Sequence, residues 1–129
     1  MQGGKMMNKI QFEKNNDQLI VYFSGEVDSI HTMNYRNLIV SEIETGKYIC
    51  MIMDFTQVSF IDSSGIGLVL GRYNQMKAIG GKLYLSGLNP IAYRLFELTG
   101  IFKLMEYIKS IDDILVKAGN PHESDENNV

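Results

Sequence analysis

Two uninterrupted apolar runs place the strongest limit on the folds open to this chain. Residues 19–23 (LIVYF) and 49–53 (ICMIM) are each long enough for a strand that is covered on both faces. The segment between them carries apolar side chains at the spacing of one helical face, namely Tyr35, Leu38, Ile39 and Ile43. A buried strand, a helix and a second buried strand in this order favour a sheet with a parallel portion.

The rest of the chain continues this alternation of strands and helices. Residues 10–12 alternate in polarity and are followed by the turn residues 15–17 (NND), which predicts an opening hairpin. Further helices are predicted from Ser63 or Ser64 to Gly80, from Asn89 to Gly100 and from Ser110 to Gly119, with short strands at 83–85 and 104–108. We therefore predict an α/β fold, a mixed sheet of four to five strands with about four α-helices packed on it.

Composition and charge limit the compartment and the partners. The first 118 residues carry all 12 basic side chains and 12 of the 15 acidic ones, so this part is formally neutral and nucleic acid is not expected as a ligand. Cys50 is the only cysteine, and no apolar run approaches a membrane span. We expect a cytoplasmic protein that binds no membrane, with a flexible segment 1–7, one domain over 8–118 and a disordered acidic tail 119–129.

Residues 59–67 (SFIDSSGIG) join a short apolar strand to a helix through an acid, two serines and two glycines. Serine and aspartate are common at helix starts for structural reasons alone. The glycines Gly65, Gly67 and Gly71 also suggest a dinucleotide site, but no Asp or Glu lies between Asp62 and Glu97 to bind a ribose. A nucleotide site at the Gly65–Gly67 turn is thus a weaker alternative.

Catalysis by a serine or a metal finds little support in the sequence. A nucleophile elbow needs a glycine two residues before the serine, and residues 60–62 contain none. A Ser–His pair would have to use His31, since His122 lies in the tail, and Cys50 lies within an apolar run typical of a core position. Two histidines and one cysteine, widely spaced, form no convincing metal set. The remaining hypothesis is that Ser63 is itself a substrate, exposed where a phosphate would meet free helix N–H groups.

Residues 58–85 (VSFIDSSGIGLVLGRYNQMKAIGGKLYL) closely resemble the bacterial anti-sigma factor antagonists of the STAS domain family. The similarity continues through residues 89–90 (NP), 94–96 (RLF) and 98–103 (LTGIFK), and residues 25–28 (GEVD) match the loop after the family's second strand. It covers about residues 8–118, which are thus identified as a STAS domain. Residues 70–73 (LGRY) favour the sporulation branch, the antagonist of the anti-sigma F factor, over the general-stress branch.

The resemblance implies a regulator of transcription that works by partner switching and is not an enzyme. Its unmodified form binds an anti-sigma factor that is also a serine kinase, which then releases the sigma factor. The kinase uses ATP and magnesium to phosphorylate Ser63, the modified form dissociates, and a metal-dependent serine phosphatase restores it. The protein has no cofactor of its own in this scheme.

The same resemblance suggests which residues meet the partner. Ser64 is expected to cap the helix, Glu26 and Asp28 to lie on a neighbouring loop, and Arg72 on the exposed edge of the second helix. The full set of predicted partner-binding residues is Glu26, Asp28, Asp62, Ser64, Gly65, Ile66, Gly67 and Arg72. Two rival classes remain, a STAS module of another signalling assembly and a small nucleotide-binding protein.

Overall fold

A computed structural model describes residues 7–118 of the chain, so the predicted tail 119–129 and all but Met7 of the predicted flexible N-terminus lie outside the described residues. Five strands and four helices alternate after an opening hairpin. The strands are β1 (Lys9–Asn15), β2 (Gln18–Val27), β3 (Cys50–Ile61), β4 (Lys82–Ser86) and β5 (Glu106–Ile108). The helices are α1 (Thr32–Thr45), α2 (Ser63–Ala78), α3 (Pro90–Thr99) and α4 (Ile111–Ala118), with a short 3₁₀ turn at Ile101–Lys103.

The strands form one mixed sheet in the order β1-β2-β3-β4-β5. β1 and β2 are antiparallel and joined by a two-residue turn, in which Asn16 adopts a positive φ of 60°. β2, β3, β4 and β5 are mutually parallel, each pair connected by a helical crossover. The predicted α/β fold with a mixed sheet is confirmed.

The two apolar runs lie at the centre of the sheet and are covered on both faces. Because side chains alternate along a strand, Leu19, Val21 and Phe23 face one side and Ile20 faces the other. The first side carries the large core, to which α1, α2 and α3 contribute, among others, Tyr35, Ile39, Val69, Met76, Ala92 and Phe96. The second side carries a smaller cluster of Ile20, Cys50, Ile52, Ile108 and Ile114, the last from α4.

One detail of the sequence-based assignment is wrong and one is incomplete. Leu38 is predicted on the buried face of α1, but it is 42% exposed, while Tyr35, Ile39 and Ile43 are buried. The strand predicted at 49–53 continues to Ile61, since pairing with β2 persists to the Val27–Ile61 pair. The polar residues Asp54, Thr56 and Gln57 interrupt the apolar run in the sequence, although the strand itself continues to the start of α2.

Candidate functional site

Helix α2 begins one residue after β3 ends, and Asp62 forms the junction. Asp62 has an extended backbone (φ −114°, ψ −169°), and its carboxylate accepts a hydrogen bond from the Ser64 backbone N–H at 2.9 Å. The Ser64 hydroxyl donates to the same carboxylate oxygen. The prediction that Ser64 caps the helix is therefore wrong. Asp62 is the N-cap, because its carboxylate reaches the free N–H two residues into the helix.

Ser63 is the first residue of α2 and is exposed. Its hydroxyl makes no hydrogen bond to any of residues 7–118, whereas the neighbouring hydroxyl of Ser64 is held by Asp62. The first turn of α2 contains no acidic residue after the cap. A negative group on Ser63 would thus be stabilised by the positive end of the helix dipole. The negative charge of the adjacent Asp62 would repel it.

The loop between β2 and α1 packs against this junction. The Asp62 N–H donates to the Val27 carbonyl oxygen at 3.3 Å. Hydrogen bonding by the Ser64 hydroxyl, with smaller contributions from the backbone N–H groups of Ser64, Gly65 and Ser29, lowers the pKa of Asp62. The carboxylate is therefore ionised at neutral pH, and it already accepts hydrogen bonds from groups of the same chain.

Asp28 organises the same loop through internal hydrogen bonds. Its Oδ1 atom lies 2.7 Å from His31 Nδ1 and accepts from the Ile30 and His31 backbone N–H groups at 3.1 and 3.2 Å. The hydrogen bond to His31 is the largest cause of the lowered pKa of Asp28. His31 Nε2 lies 3.2 Å from Asn8 Nδ2, so the only described histidine has both ring nitrogens engaged away from Ser63.

Glu26 does not lie on the loop as predicted. It is the penultimate residue of β2, half-buried, beside a register shift between Gly25 and Glu26 in the pairing with β3. Its backbone N–H donates to Asn8 Oδ1 at 2.7 Å. Asn8 thus ties the strand to the loop through Glu26 and His31, a role that its sequence context did not indicate.

The three residues after Ser64 have different environments. Gly65 is buried, and an added Cβ would clash with Ile61 and approach Val27 Cγ1 to 3.2 Å. Its missing side chain therefore serves close packing of α2 on the sheet, which gives the glycine a role without any nucleotide. Ile66 is 7% exposed and belongs to the core, so its side chain does not lie on the surface where we predicted a partner contact. Gly67 is exposed.

Arg72 is not on an exposed edge, contrary to the prediction. It is only 6% exposed, and its Nε donates to Gln75 Oε1 at 2.9 Å. Gln75 in turn contacts the Val40 carbonyl oxygen of α1, at 3.5 Å from its Nε2 atom. The long aliphatic stem of arginine can be buried while its guanidinium approaches the surface, and here the residue packs where α2 meets α1.

A groove of about 350 Å³ runs between α1 and α2 from the junction at Ser64 to Arg72. It is lined by Ser29, Thr32, Met33, Arg36, Ser64, Gly67, Leu68, Gly71 and Arg72. Three of the predicted residues therefore meet in one feature, namely Ser64, Gly67 and Arg72. The four lining residues from the β2–α1 loop and α1 were missed, because they are distant in sequence and only helix packing brings them to α2.

A second cavity, of about 560 Å³, lies on the α4 face at the carboxyl ends of the parallel strands. Its wall includes Asp54, which is buried and accepts hydrogen bonds from the hydroxyls of Ser86 at 2.7 Å and Thr56 at 2.9 Å. Asp54 thus stabilises the ends of β3 and β4. Sequence reasoning left Asp54 without a role, because its partner Ser86 lies 32 residues away.

Cys50 lies in the smaller core cluster, and burial raises the pKa of its thiol to about 11. A protonated, buried thiol is unreactive, which agrees with its interpretation as a core residue. Over residues 7–118, no cluster of three or more His, Cys, Asp or Glu side chains is placed to hold a metal ion. None of the helices in that part of the chain combines the length and apolar character needed to cross a membrane.

Comparison with known proteins places this arrangement in a family. Residues 9–114 match the STAS domain. The anti-sigma F factor antagonist of Paenibacillus polymyxa is 34% identical over 98 residues, which cover 75% of this chain and 83% of that protein. The anti-sigma-B factor antagonist of Listeria monocytogenes is 30% identical over 101 residues, which cover 78% of this chain and 86% of the relative.

Solved structures show the same relationship. The anti-sigma factor antagonist SpoIIAA in its unphosphorylated form superposes with a TM-score of 0.75 at 28% identity, over 86% of this chain and 97% of that chain. The Bacillus cell fate determinant SpoIIAA in the phosphorylated form gives a TM-score of 0.67 at 29% identity, over 82% and 96% of the two chains. The chain therefore belongs to the STAS domain family, within which its relatives are anti-sigma factor antagonists.

Proposed function

We propose that this protein is an anti-anti-sigma factor switched by phosphorylation of Ser63. In its unmodified form it binds an anti-sigma factor that is also a serine kinase, and this binding frees the sigma factor. Transfer of the γ-phosphate of ATP to Ser63, with magnesium bound in the kinase, ends the complex. A serine phosphatase then restores the unmodified form. Since sigma factors act on RNA polymerase, this function is cytoplasmic.

The observation that carries the proposal is the contrast between the two serines of the motif. Ser63 is exposed and its hydroxyl has no hydrogen-bond partner within residues 7–118, while the hydroxyl of Ser64 is bound to Asp62. A kinase must reach the hydroxyl and remove its proton, and of the two serines only Ser63 has a hydroxyl that is not already hydrogen-bonded to a carboxylate. One of the similar structures is of a relative in its phosphorylated form, which supports modification as the switch.

Phosphorylation would act on the partner surface and leave the fold intact. A phosphate adds about two negative charges at neutral pH, and at the first helical position it is favoured by the helix dipole. The same charge would oppose any acidic or apolar partner surface docked against the turn. The protein is thus a substrate and a ligand and has no catalytic part in the cycle.

The proposal is tested by incubating the purified protein with the anti-sigma factor kinase from the same genome, ATP and magnesium. Mass spectrometry should locate one phosphate on Ser63. Ser63→Ala should stay unlabelled and bind the kinase, while Ser64→Ala should be labelled, each variant first shown to be folded by circular dichroism. Labelling of Ser63→Ala without labelling of Ser64→Ala would refute the site.

The identity of the sigma factor is a separate part of the proposal. We propose the sporulation sigma F branch, since its antagonist from Paenibacillus polymyxa is 34% identical, against 30% for the sigma-B antagonist from Listeria monocytogenes. The alternative is a STAS module of another signalling assembly. Binding assays against each anti-sigma factor kinase of the same genome separate these cases, and tight binding to a sigma-B-type kinase alone would favour the general-stress branch.

A further inference from the structure

Arg72 is a largely buried residue whose guanidinium reaches the groove. The residue is 6% exposed, and its one hydrogen bond among the described residues is to the neutral Gln75. None of the ion pairs found within residues 7–118 includes it; these join Lys14 to Glu42 and Arg94 to Glu97, and the hydrogen-bonded pair of His31 and Asp28 does not involve Arg72 either. A partly desolvated guanidinium without an ion pair is stabilised when an anion binds it.

A second arginine lies on the same groove. Arg36 of α1 and Arg72 of α2 both line it, and none of the nine described lining residues is Asp or Glu. Burial, followed by the positive charge of Arg36, lowers the pKa of Arg72. The positive charges of Arg36 and Arg72 repel each other, and a single negative group that binds beside both would be stabilised by each of them.

The groove is open enough to admit a side chain. A Cβ added to Gly67 or Gly71 would meet no heavy atom within 4 Å outside their immediate neighbourhood, so these glycines leave free space along α2. Met33 is 65% exposed at the opposite wall, where it offers an apolar contact. The groove extends from Ser64 to Arg72 and therefore combines an exposed methionine, two glycines that leave open space, and two arginines.

We propose that this groove, which we call the α1–α2 groove, receives a carboxylate side chain of the anti-sigma factor kinase, bound by Arg36 and Arg72. The inference rests on the proposed function and adds the chemistry of the contact. An Asp or Glu of the partner is the natural ligand, because the planar guanidinium matches a carboxylate in a two-point contact. In this complex Arg72 gains an anionic partner that none of residues 7–118 provides.

A role for Arg72 in phosphoryl transfer is less consistent with its position. It lies nine positions after Ser63, which is about 14 Å along an α-helix. The Nε hydrogen bond to Gln75 holds its side chain toward the following turn and away from Ser63. The guanidinium is therefore placed to bind a group of the partner that lies further along α2, and not to touch the transferred phosphate.

The test compares Arg72→Met and Arg36→Met with a control, Arg94→Met, in the full-length unphosphorylated protein. Arg94 is an exposed arginine of α3, paired with Glu97 and outside the groove. Affinity for the purified kinase is measured by calorimetry at two salt concentrations, and Tm is measured for each free variant. Arg72→Met should weaken binding at least tenfold and reduce its salt dependence, while its Tm stays close to that of the wild type, because methionine keeps the apolar bulk of the stem and no ion pair within residues 7–118 is lost. Arg36→Met should weaken binding several-fold, and Arg94→Met should bind within twofold of the wild type.

The partner residue is then found by changing surface Asp and Glu residues of the kinase to Asn and Gln. One such change should weaken binding to the wild type and have no further effect on Arg72→Met. If the wild type binds the kinase, and folded Arg72→Met and Arg36→Met bind it with unaltered affinity, the groove inference is overturned and the proposed function stands. Equal losses in all three arginine variants would also overturn it, since they would reflect net charge alone. No complex with the wild type would refute the proposed function, and this inference with it.

Discussion

The carboxylate of Asp62 holds the backbone N–H of Ser64 at 2.9 Å and also accepts the Ser64 hydroxyl. This double contact divides two adjacent serines into different roles. Ser64 contributes to the helix cap, and Ser63 remains at the exposed first position of α2. An acid that starts a helix therefore also determines which of the two hydroxyls is hydrogen-bonded and which is free of a partner within residues 7–118.

Replacing the cap should cost more stability than replacing the second serine. Asp62→Ala leaves the first N–H groups of α2 without their acceptor, and we expect a loss of about 1 kcal/mol in the free energy of unfolding. Asp62→Asn keeps an acceptor and should lose less. Ser64→Ala keeps the backbone hydrogen bond and gains helix propensity, so its loss should be the smallest. Urea unfolding of the three variants checks the order, and a larger loss in Ser64→Ala than in Asp62→Ala would contradict the assignment of the cap.

The lowered pKa of Asp62 predicts a contribution to stability that depends on pH. Because the folded-state pKa lies below the unfolded value of about 3.9, the contribution is present above that value and is lost as pH falls through the folded-state pKa. The difference in unfolding free energy between wild type and Asp62→Asn should therefore shrink between pH 6 and pH 3. Asp28 and Glu42 also have lowered pKa values, and comparison with Asp62→Asn cancels their effect. A difference that does not change with pH would contradict the prediction.

Two glycines of α2 should respond in opposite directions to alanine. Gly65→Ala places a Cβ against Ile61 and should cost about 1–3 kcal/mol through overpacking. Gly67→Ala meets open space and should stabilise the helix by up to about 1 kcal/mol. Thermal unfolding of both variants measures the contrast. Equal stability of the two variants would show that close packing is not the reason for glycine at position 65.

A fixed charge at Ser63 should weaken the complex with the anti-sigma factor kinase. Ser63→Asp adds one negative charge beside Asp62, so the interface would have to desolvate two neighbouring carboxylates. We expect a loss of affinity that exceeds that of the neutral, similarly sized Ser63→Asn, and that is smaller than the loss caused by phosphoserine. Titration calorimetry with the three forms tests this order. Equal affinities of Ser63→Asp and Ser63→Asn would show that charge is not the switch.

The sequence by itself determined the order of elements and the position of the motif. A mixed sheet with a parallel portion is predicted from the two apolar runs, the helical spacing between them and the turn residues at 15–17. This is possible because a strand that is buried on both faces is continuously apolar, which the local sequence shows directly. The DSSG segment likewise indicates a strand–turn–helix junction with a serine at its start. The family resemblance added the hypothesis that Ser63 is modified.

Only the tertiary structure decided which polar side chains already make hydrogen bonds within the chain and which charged side chains are buried. Whether Asp62 or Ser64 caps α2 depends on a backbone angle and on a 2.9 Å contact. The sequence does not show these, because aspartate and serine are about equally good capping residues. Arg72 looks like a surface charge in the segment LGRY, yet packing of α1 beside α2 buries it and brings Arg36 to the same groove. Whether a charge is buried depends on neighbouring residues from distant parts of the chain, and the local sequence does not contain these residues.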